Sequence, residues 1–346
     1  MLTGWLKRRC FMSLSSSAMS AGGNSSGSAS ALPPACRQFS TACAPPLVIP
    51  TTLSNGGSPC EPTVVTHSDV FTSPRRPDDA WEVAIMLNWR IPACAQLIWK
   101  RADWRICADG GSNRLYDSVQ MVAQNAPPLN AICGDMDSIR QDVLAHFTAQ
   151  GVKVHDLSHD QDTTDLQKGL ALARGFFSSM RDTHKKQQLR VIALGALGGR
   201  LDHTLQNVNT LYTSNDDGGG STTAEAPMEL VLVGEHSTAR LLRGPAETGA
   251  YGWTEHAVPV DLVHEGPTCG ICALANASQG RAGVRAVTSG LRWNLDGSQE
   301  MAMGFGALQS TSNLVEPVCV DEHGRGHVRV ATSGPLLWTT ELRGES

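Results

Sequence analysis

The sequence predicts an α/β N-terminal domain, built on a doubly wound and mostly parallel sheet, followed by an all-β sandwich domain. Three observations lead there. Between Trp81 and Leu194, short apolar runs alternate with segments of helical spacing, the pattern of strands joined by crossover helices. Beyond Pro227 the apolar runs stay short, turn residues separate them and no helical stretch intervenes, which suits antiparallel strands. Within the first region, dense polar clusters fall just after strands. That edge is where open α/β sheets bind ligands.

Residues 1–75 are expected to be a disordered Ser/Gly/Pro-rich extension, because such composition buries too little apolar area to fold. Lys7, Arg8, Arg9 and Arg37 are its only charged side chains before Glu61. A basic, acid-free start reads either as an organellar transit peptide, with Arg37-Gln38-Phe39-Ser40 as a weak processing pattern, or as a tail with no address. Order is expected from near Trp81.

The α/β domain is placed at 76–214. Strands are expected at Trp81–Asn88, Trp104–Ala108, Leu129–Cys133, Val152–Leu157 and Leu189–Leu194, with a helix over Pro92–Ala102. Ser138 to Gln141 and Thr164 to Gln167 each fit a capping box. The first precedes Ile139, Val143 and Phe147, and the second precedes the stripe Leu166, Leu170, Ala173 and Phe177. Residues 215–227, rich in Gly, Ser and Thr, are taken as the linker. In 228–346, short strands are expected at Glu229–Val233, Ala239–Leu242, Val258–Val263, Ile271–Leu274, Val284–Thr288, Met301–Phe305 and Val328–Ala331. Gly244–Glu255 looks like a loop insertion and Asp321–Gly326 like a hairpin tip.

A 346-residue chain with 41% hydrophobic and 18% charged residues fits a globular protein of two domains. A net charge of -5 without a basic stripe argues against a nucleic-acid partner. No apolar run is long enough to span a membrane. The ten cysteines form no spacing framework, which suits reduced thiols in an intracellular, cytoplasmic setting, with mitochondrial or other organellar import left open by the tail. Cys269-Gly270-Ile271-Cys272 lacks the second pair that a zinc site needs.

The chemistry concentrates between Ala131 and Asp165. Asp135 and Asp137 form one acidic cluster, and Asp160, Asp162 and Asp165 form another. Carboxylates so close repel unless a cation or solvent compensates them, and hard oxygen ligands suit Mg²⁺. The plain alternative is two acidic helix N-termini. After the fifth strand, Gly195 to Gly199 makes a glycine-rich turn followed by Arg200 and Asp202. Glycines there would let backbone approach phosphates, and a guanidinium can clamp two phosphate oxygens; the alternative is a tight turn with a surface ion pair. No Walker A sequence, dinucleotide fingerprint or nucleophile elbow is present.

These residues carry a family resemblance. Ala108-Asp109-Gly110-Gly111-Ser112-Asn113-Arg114-Leu115, Gly134-Asp135-Met136-Asp137-Ser138, Asp160-Gln161-Asp162-x-Thr164-Asp165 and Gly198-Gly199-Arg200-Leu201-Asp202-His203 resemble, in order and spacing, the signature series of thiamin pyrophosphokinases. Beyond the linker, Ser289 to Leu295, Ser310 to Asn313 and Pro335 to Trp338 resemble the thiamin-side segments and closing strand.

The resemblance implies a homodimer with active sites at the subunit interface. It implies transfer of the pyrophosphoryl group of ATP to thiamin, giving thiamin diphosphate and AMP, with Mg²⁺ required. Asp135, Asp137, Asp162 and Asp165 would hold Mg²⁺ directly or through water. Asp109, Asn113, Arg114, Gln161, Thr164, Gly198 and Gly199 would bind and orient the nucleotide. Arg200 would stabilise phosphate charge with Asp202 holding it, and Asp165 is a candidate to take the proton of the thiamin hydroxyl. Ser289, Trp293, Ser312 and Asn313 would meet thiamin, Trp293 by stacking on its cationic rings, a contact of roughly 0.5–2 kcal/mol; its plain alternative is a core tryptophan. Two rivals remain: a pyrophosphokinase acting on a pterin alcohol, and a catalytically silent thiamin-binding sensor. The tail, the linker and the 244–255 insertion lie outside the family pattern.

Overall fold

The computed structural model describes residues 47, 49, 63–68, 70–71, 80–118, 126–184, 188–214, 228–245, 252–274 and 283–343. The strands are β1 (Thr63–Thr66), β2 (Ala80–Met86), β3 (Trp104–Ala108), β4 (Ala131–Gly134), β5 (Lys153–Asp156), β6 (Gln188–Leu194), β7 (Met228–Val233), β8 (Ser237–Leu242), β9 (Thr254–Asp261), β10 (Glu265–Cys272), β11 (Ala286–Ser289), β12 (Ser310–Leu314), β13 (Arg325–Thr332) and β14 (Leu336–Leu342). The α-helices are α1 (Ala95–Arg101), α2 (Gly111–Asp117), α3 (Gln141–Ala149), α4 (Asp165–His184) and α5 (Leu201–Thr213).

One sheet of ten strands runs in the order β12-β10-β14-β8-β7-β6-β2-β3-β4-β5. Its half from β7 to β5 is parallel. Strand β2 shows why: all seven of its residues are buried, as expected of a strand covered on both faces. Trp81, Val83 and Ile85 point into one core with Leu166, Leu170, Ala173 and Phe177 of α4 and Val208 and Leu211 of α5. Ala84 and Met86 point into the other, with Ile98 and Trp99 of α1, Leu115 of α2 and Val143 and Phe147 of α3. From β8 onward the sheet is antiparallel. A second sheet, β1-β9-β13-β11, faces this half. Leu242, Ile271 and Trp338 meet Val258, Val260, Val328 and Val330 between the two. The chain thus has one mixed sheet with helices packed on its parallel half and further β strands packed on its antiparallel half.

Several details depart from expectation. The strand expected to open the all-β domain, β7, pairs in parallel with β6 and extends the first sheet. Residues 215–227, taken as the linker, lie outside the described residues, as do 246–251 of the expected insertion and the Arg37–Ser40 pattern; Thr254 and Glu255 belong to β9. The Ser138 capping box does not form, because the Ser138 N–H donates to Asp109 Oδ2 (3.0 Å) and α3 starts only at Gln141. Met301–Phe305 is not a strand; Met303 makes isolated bridges to Val284 and Leu308. Strand β5 is a mostly exposed edge.

Order also begins before Trp81. Within the extension expected to be unstructured, β1 pairs in parallel with β9, and Val70 and Phe71 are buried in the α1–α3 core. Three arginines hold this strap: Ser68 O accepts from Arg190 Nη2 (3.2 Å) and Arg240 Nη1 (3.1 Å), and Val70 O accepts from Arg101 Nη2 (2.6 Å). The partners come from β6, β8 and α1, far away in sequence.

Candidate active site

The carboxyl ends of β3, β4, β5 and β6 bring the expected clusters to one edge of the sheet, where the strand order reverses beside β2. Carboxylate oxygens of Asp109, Asp135 and Asp137 lie within 4.8 Å of one another. Asp109 is almost completely buried (1% exposed). Its Oδ2 and Oδ1 accept the N–H groups of Ser138 and Ile139 (3.0 and 3.1 Å), so it pins the loop that carries the other two. Burial nevertheless pushes its carboxyl up. Asn113 reinforces the tie, donating to Ser138 O (2.9 Å) and accepting from the Arg140 N–H (3.0 Å). Asp109 and Met136 adopt left-handed backbone (φ 41° and 65°), a strained conformation that clusters at functional sites.

Asp165 opens α4 beside this group. Its helix start is the expected capping box: Thr164 N–H donates to Gln167 Oε1 (2.9 Å) and Gln167 N–H to Thr164 Oγ1 (3.4 Å). Burial, then the charges of Asp109, Asp135 and Asp137, push the Asp165 carboxyl up to about 6 against the pull of Lys168. Lys168, which the sequence reading passed over, is buried with its Nζ 3.9 Å from Asp135 Oδ2. Asp162 is exposed on the preceding loop and outside the close group of three. Asp160 caps that loop, accepting from the Asp162 and Thr163 N–H groups (both 3.1 Å). Gln161 donates to Ser158 O (2.9 Å). Asp109, assigned to the nucleotide from sequence, therefore joins the acidic centre, while Asp162 is not part of it.

The Gly198–Gly199 end of the glycine turn is exposed and lies against Trp89, three residues past the end of β2. A Cβ on Gly199 would sit 2.9 Å from the indole, and both Gly198 and Gly199 have positive φ (107° and 71°), so the turn requires glycine there. Thr204 Oγ1 accepts from the Gly198 N–H (3.2 Å) and Asn207 holds Ala196 O (2.8 Å). Arg200 pairs with Asp202 through Nη2–Oδ2 (2.5 Å), both largely exposed, and the guanidinium holds the carboxyl below its usual range. Arg114 donates from Nε to Asn88 Oδ1 (3.0 Å).

The all-β residues divide in two. Trp293 is 57% exposed, not a core tryptophan, and Ser312 is exposed with φ 57°. Ser289 and Asn313 are buried. Asn313 accepts the Trp293 N–H (3.2 Å) and donates to Trp293 O (2.9 Å) and Ser310 Oγ (3.2 Å). It fixes the backbone that presents the indole. The isolated Cys269 and Cys272 are free thiols whose pKa burial raises, Cys269 to about 12.

Comparison with known proteins decides the family. The catalytic-domain model of thiamin pyrophosphokinase matches residues 95–218. Thiamine pyrophosphokinase 1 of Oryza sativa subsp. japonica is 34% identical over 81% of this chain and 98% of its own length. The chain belongs to the thiamin pyrophosphokinase family. Thiamine pyrophosphokinase 2 of Arabidopsis thaliana is 33% identical over 81% of this chain and 94% of its own. The fold agrees: thiamin pyrophosphokinase from Candida albicans superposes with a TM-score of 0.61 at 20% identity, covering 83% of this chain and 95% of that one. The yeast thiamin pyrophosphokinase structure gives 0.57 at 20% identity, over 81% and 91%. Among the described residues, no helix is long and apolar enough to cross a membrane.

Proposed function

We propose that this thiamin pyrophosphokinase family member transfers the pyrophosphoryl group of ATP to the hydroxyethyl oxygen of thiamin, giving thiamin diphosphate and AMP. The observation that carries the reading is the carboxylate group Asp109, Asp135 and Asp137, its oxygens within 4.8 Å, in a chain alignable with nearly the whole rice enzyme. Hard oxygen donors at that spacing suit Mg²⁺ sharing its sphere with phosphates. Asp135 and Asp137 would hold it, with Asp165 beside them, Asp109 bracing the loop and Asp162 reaching it through water. When bound, the ion neutralises phosphate charge, the main requirement of phosphoryl-type transfer.

The protein's own groups supply the rest. The Gly198–Gly199 turn, Arg114, Gln161 and Thr164 would line the nucleotide, and exposed Arg200 would meet charge developing on the departing AMP. Asp165, at the start of α4 beside the acidic group, is the carboxylate that would take the thiamin hydroxyl proton. In the all-β half, read as a sandwich over 228–346, exposed Trp293 would stack on thiamin while Ser312 hydrogen-bonds it and Ser289 and Asn313 support the cleft.

Sheet geometry favours a homodimer with shared sites. Strand β12, which carries Ser312, and β4, which precedes Asp135, are eight steps apart in the strand order, roughly 38 Å along the sheet at ~4.8 Å per step. A site using both ends draws on two chains. The test is product analysis of the full chain with ATP, Mg²⁺ and thiamin, alongside light scattering for mass. Equal amounts of AMP and thiamin diphosphate from a dimer are expected. ADP with thiamin monophosphate would reject the transfer chemistry, and binding without turnover would make the protein a sensor.

A further inference from the structure

Lys168 lies one turn into α4, on the same face as Asp165, and is 4% exposed. Its Nζ is 3.9 Å from Asp135 Oδ2. An ammonium taken out of water is costly unless opposite charge surrounds it; here the surrounding charge is the acidic centre itself. We propose that Lys168 is a built-in counter-cation, a positioning residue that holds Asp135 in place in the metal-free protein and competes with the divalent cation for that carboxylate. This rests on the cation site of the proposed function.

The consequence runs in both states. Without a metal, Asp109, Asp135, Asp137 and Asp165 repel one another, and the ammonium offsets part of that repulsion. With a metal, the ammonium and the ion stand as like charges around one carboxylate. Removing Lys168 raises the free energy of the empty site and relieves the loaded one, so both effects tighten cation binding. With Lys168 present, the ion is held loosely enough to arrive and leave with the nucleotide phosphates.

The experiment uses the full chain, with Mn²⁺ alone as the probe, followed by calorimetric titration and by thermal unfolding in EDTA and in Mn²⁺. K168M replaces the lysine by a neutral side chain of similar volume; K168Q serves if K168M does not fold, and K168R keeps the charge. The neutral variant should lower the Tm in EDTA, tighten the Mn²⁺ Kd about tenfold through the lost like-charge repulsion, and enlarge the Mn²⁺-induced Tm rise. K168R should behave as the unaltered protein. An unchanged or weaker Kd in the neutral variants, with the unaltered protein still binding, would overturn the role of Lys168 alone. No Mn²⁺ response in the unaltered protein would overturn the cation site and the role of Lys168 with it.

Discussion

The two ends of the parallel strands carry the same kinds of residue and do opposite things. At the carboxyl ends, Asp109, Asp135, Asp137 and Asp165 crowd together, with the Lys168 ammonium 3.9 Å from Asp135. At the amino ends, Glu82 on β2 meets Arg101 (2.8 Å) and Arg190 (3.1 Å), and Glu229 on β7 meets Arg190 and Arg240 (both 3.2 Å). There three guanidiniums outnumber two carboxylates, and the arginines spend further N–H groups on Ser68 and Val70 carbonyls. A buried charge network closed on itself works as a clamp; one with excess carboxylate is left with an appetite for a cation. The ratio of signs, more than burial, separates a site from a staple.

The comparison breaks most sharply at Asp135. Asp135→Asn should cut kcat on the order of 10²–10³-fold, the scale of losing a charge-stabilising group. It should not lower the Tm, because one of several mutually repelling carboxylates is neutralised. A variant of near-normal turnover would remove Asp135 from the machinery, and a large Tm loss would make the acidic centre structural like the opposite end.

Next in size is the strap. A chain starting at residue 76, the domain boundary that the composition suggests, lacks the Ser68 and Val70 carbonyls and the buried Phe71. Burying Phe71 and satisfying the arginine donors are together worth on the order of 3–6 kcal/mol, so the Tm should fall by roughly 8 °C or more. Turnover per folded molecule should stay unchanged, since the strap docks at the far end of the strands. Equal melting of the two chains would show that the clamp does not need it.

The third prediction is a pH window. His256 is buried between His67 (2.9 Å) and Arg243 O (2.8 Å), and burial followed by the His67 charge lowers its pKa to about 4. The native state then binds fewer protons than the unfolded state between about 4 and its ordinary value near 6.5. Stability from this group is complete above about 6.5 and disappears as pH falls to about 4, for about 3 kcal/mol in all. Glu229, held down to about 2 by Arg190, His67 and Arg240 against the effect of burial, continues the decline from about 4.5 downward. His256→Gln should flatten the upper window in chemical denaturation at stepped pH, while leaving the lower one.

What could be read from the sequence was whatever local periodicity encodes. Strands β2, β3 and β6 and the stripe on α4 follow from spacing, and the Thr164–Gln167 box forms from groups only three residues apart. The Ser138 box has the same local chemistry and fails, because Asp109, 29 residues earlier, captures the Ser138 N–H. Strand β1 was invisible for a like reason: Thr63-Val64-Val65-Thr66 is too short to signal alone, and its order comes from β9 and from arginines more than thirty residues away. The site followed the same division. Carboxylate spacing announced an acidic cluster, but that Asp109 joins it and that Lys168 lies close to Asp135 depends on which loops the sheet brings together.

The smallest expected effect tests the all-β half. Trp293→Ala should raise the thiamin KM about 2- to 10-fold, at the lower end of what cation–π stacking supplies, and leave the ATP KM alone. The lower end applies because Arg292 already stands over the ring, its Cζ 5.9 Å from the centroid, while pairing with Glu316 (3.1 Å). Thiamin would exchange one cation for another on that face. The substitution is clean, because Asn313 holds Trp293 only through backbone N–H and C=O, so alanine keeps the loop in place. Equal rises in both KM values would mean that the indole shapes the whole cleft and does not read the thiamin rings.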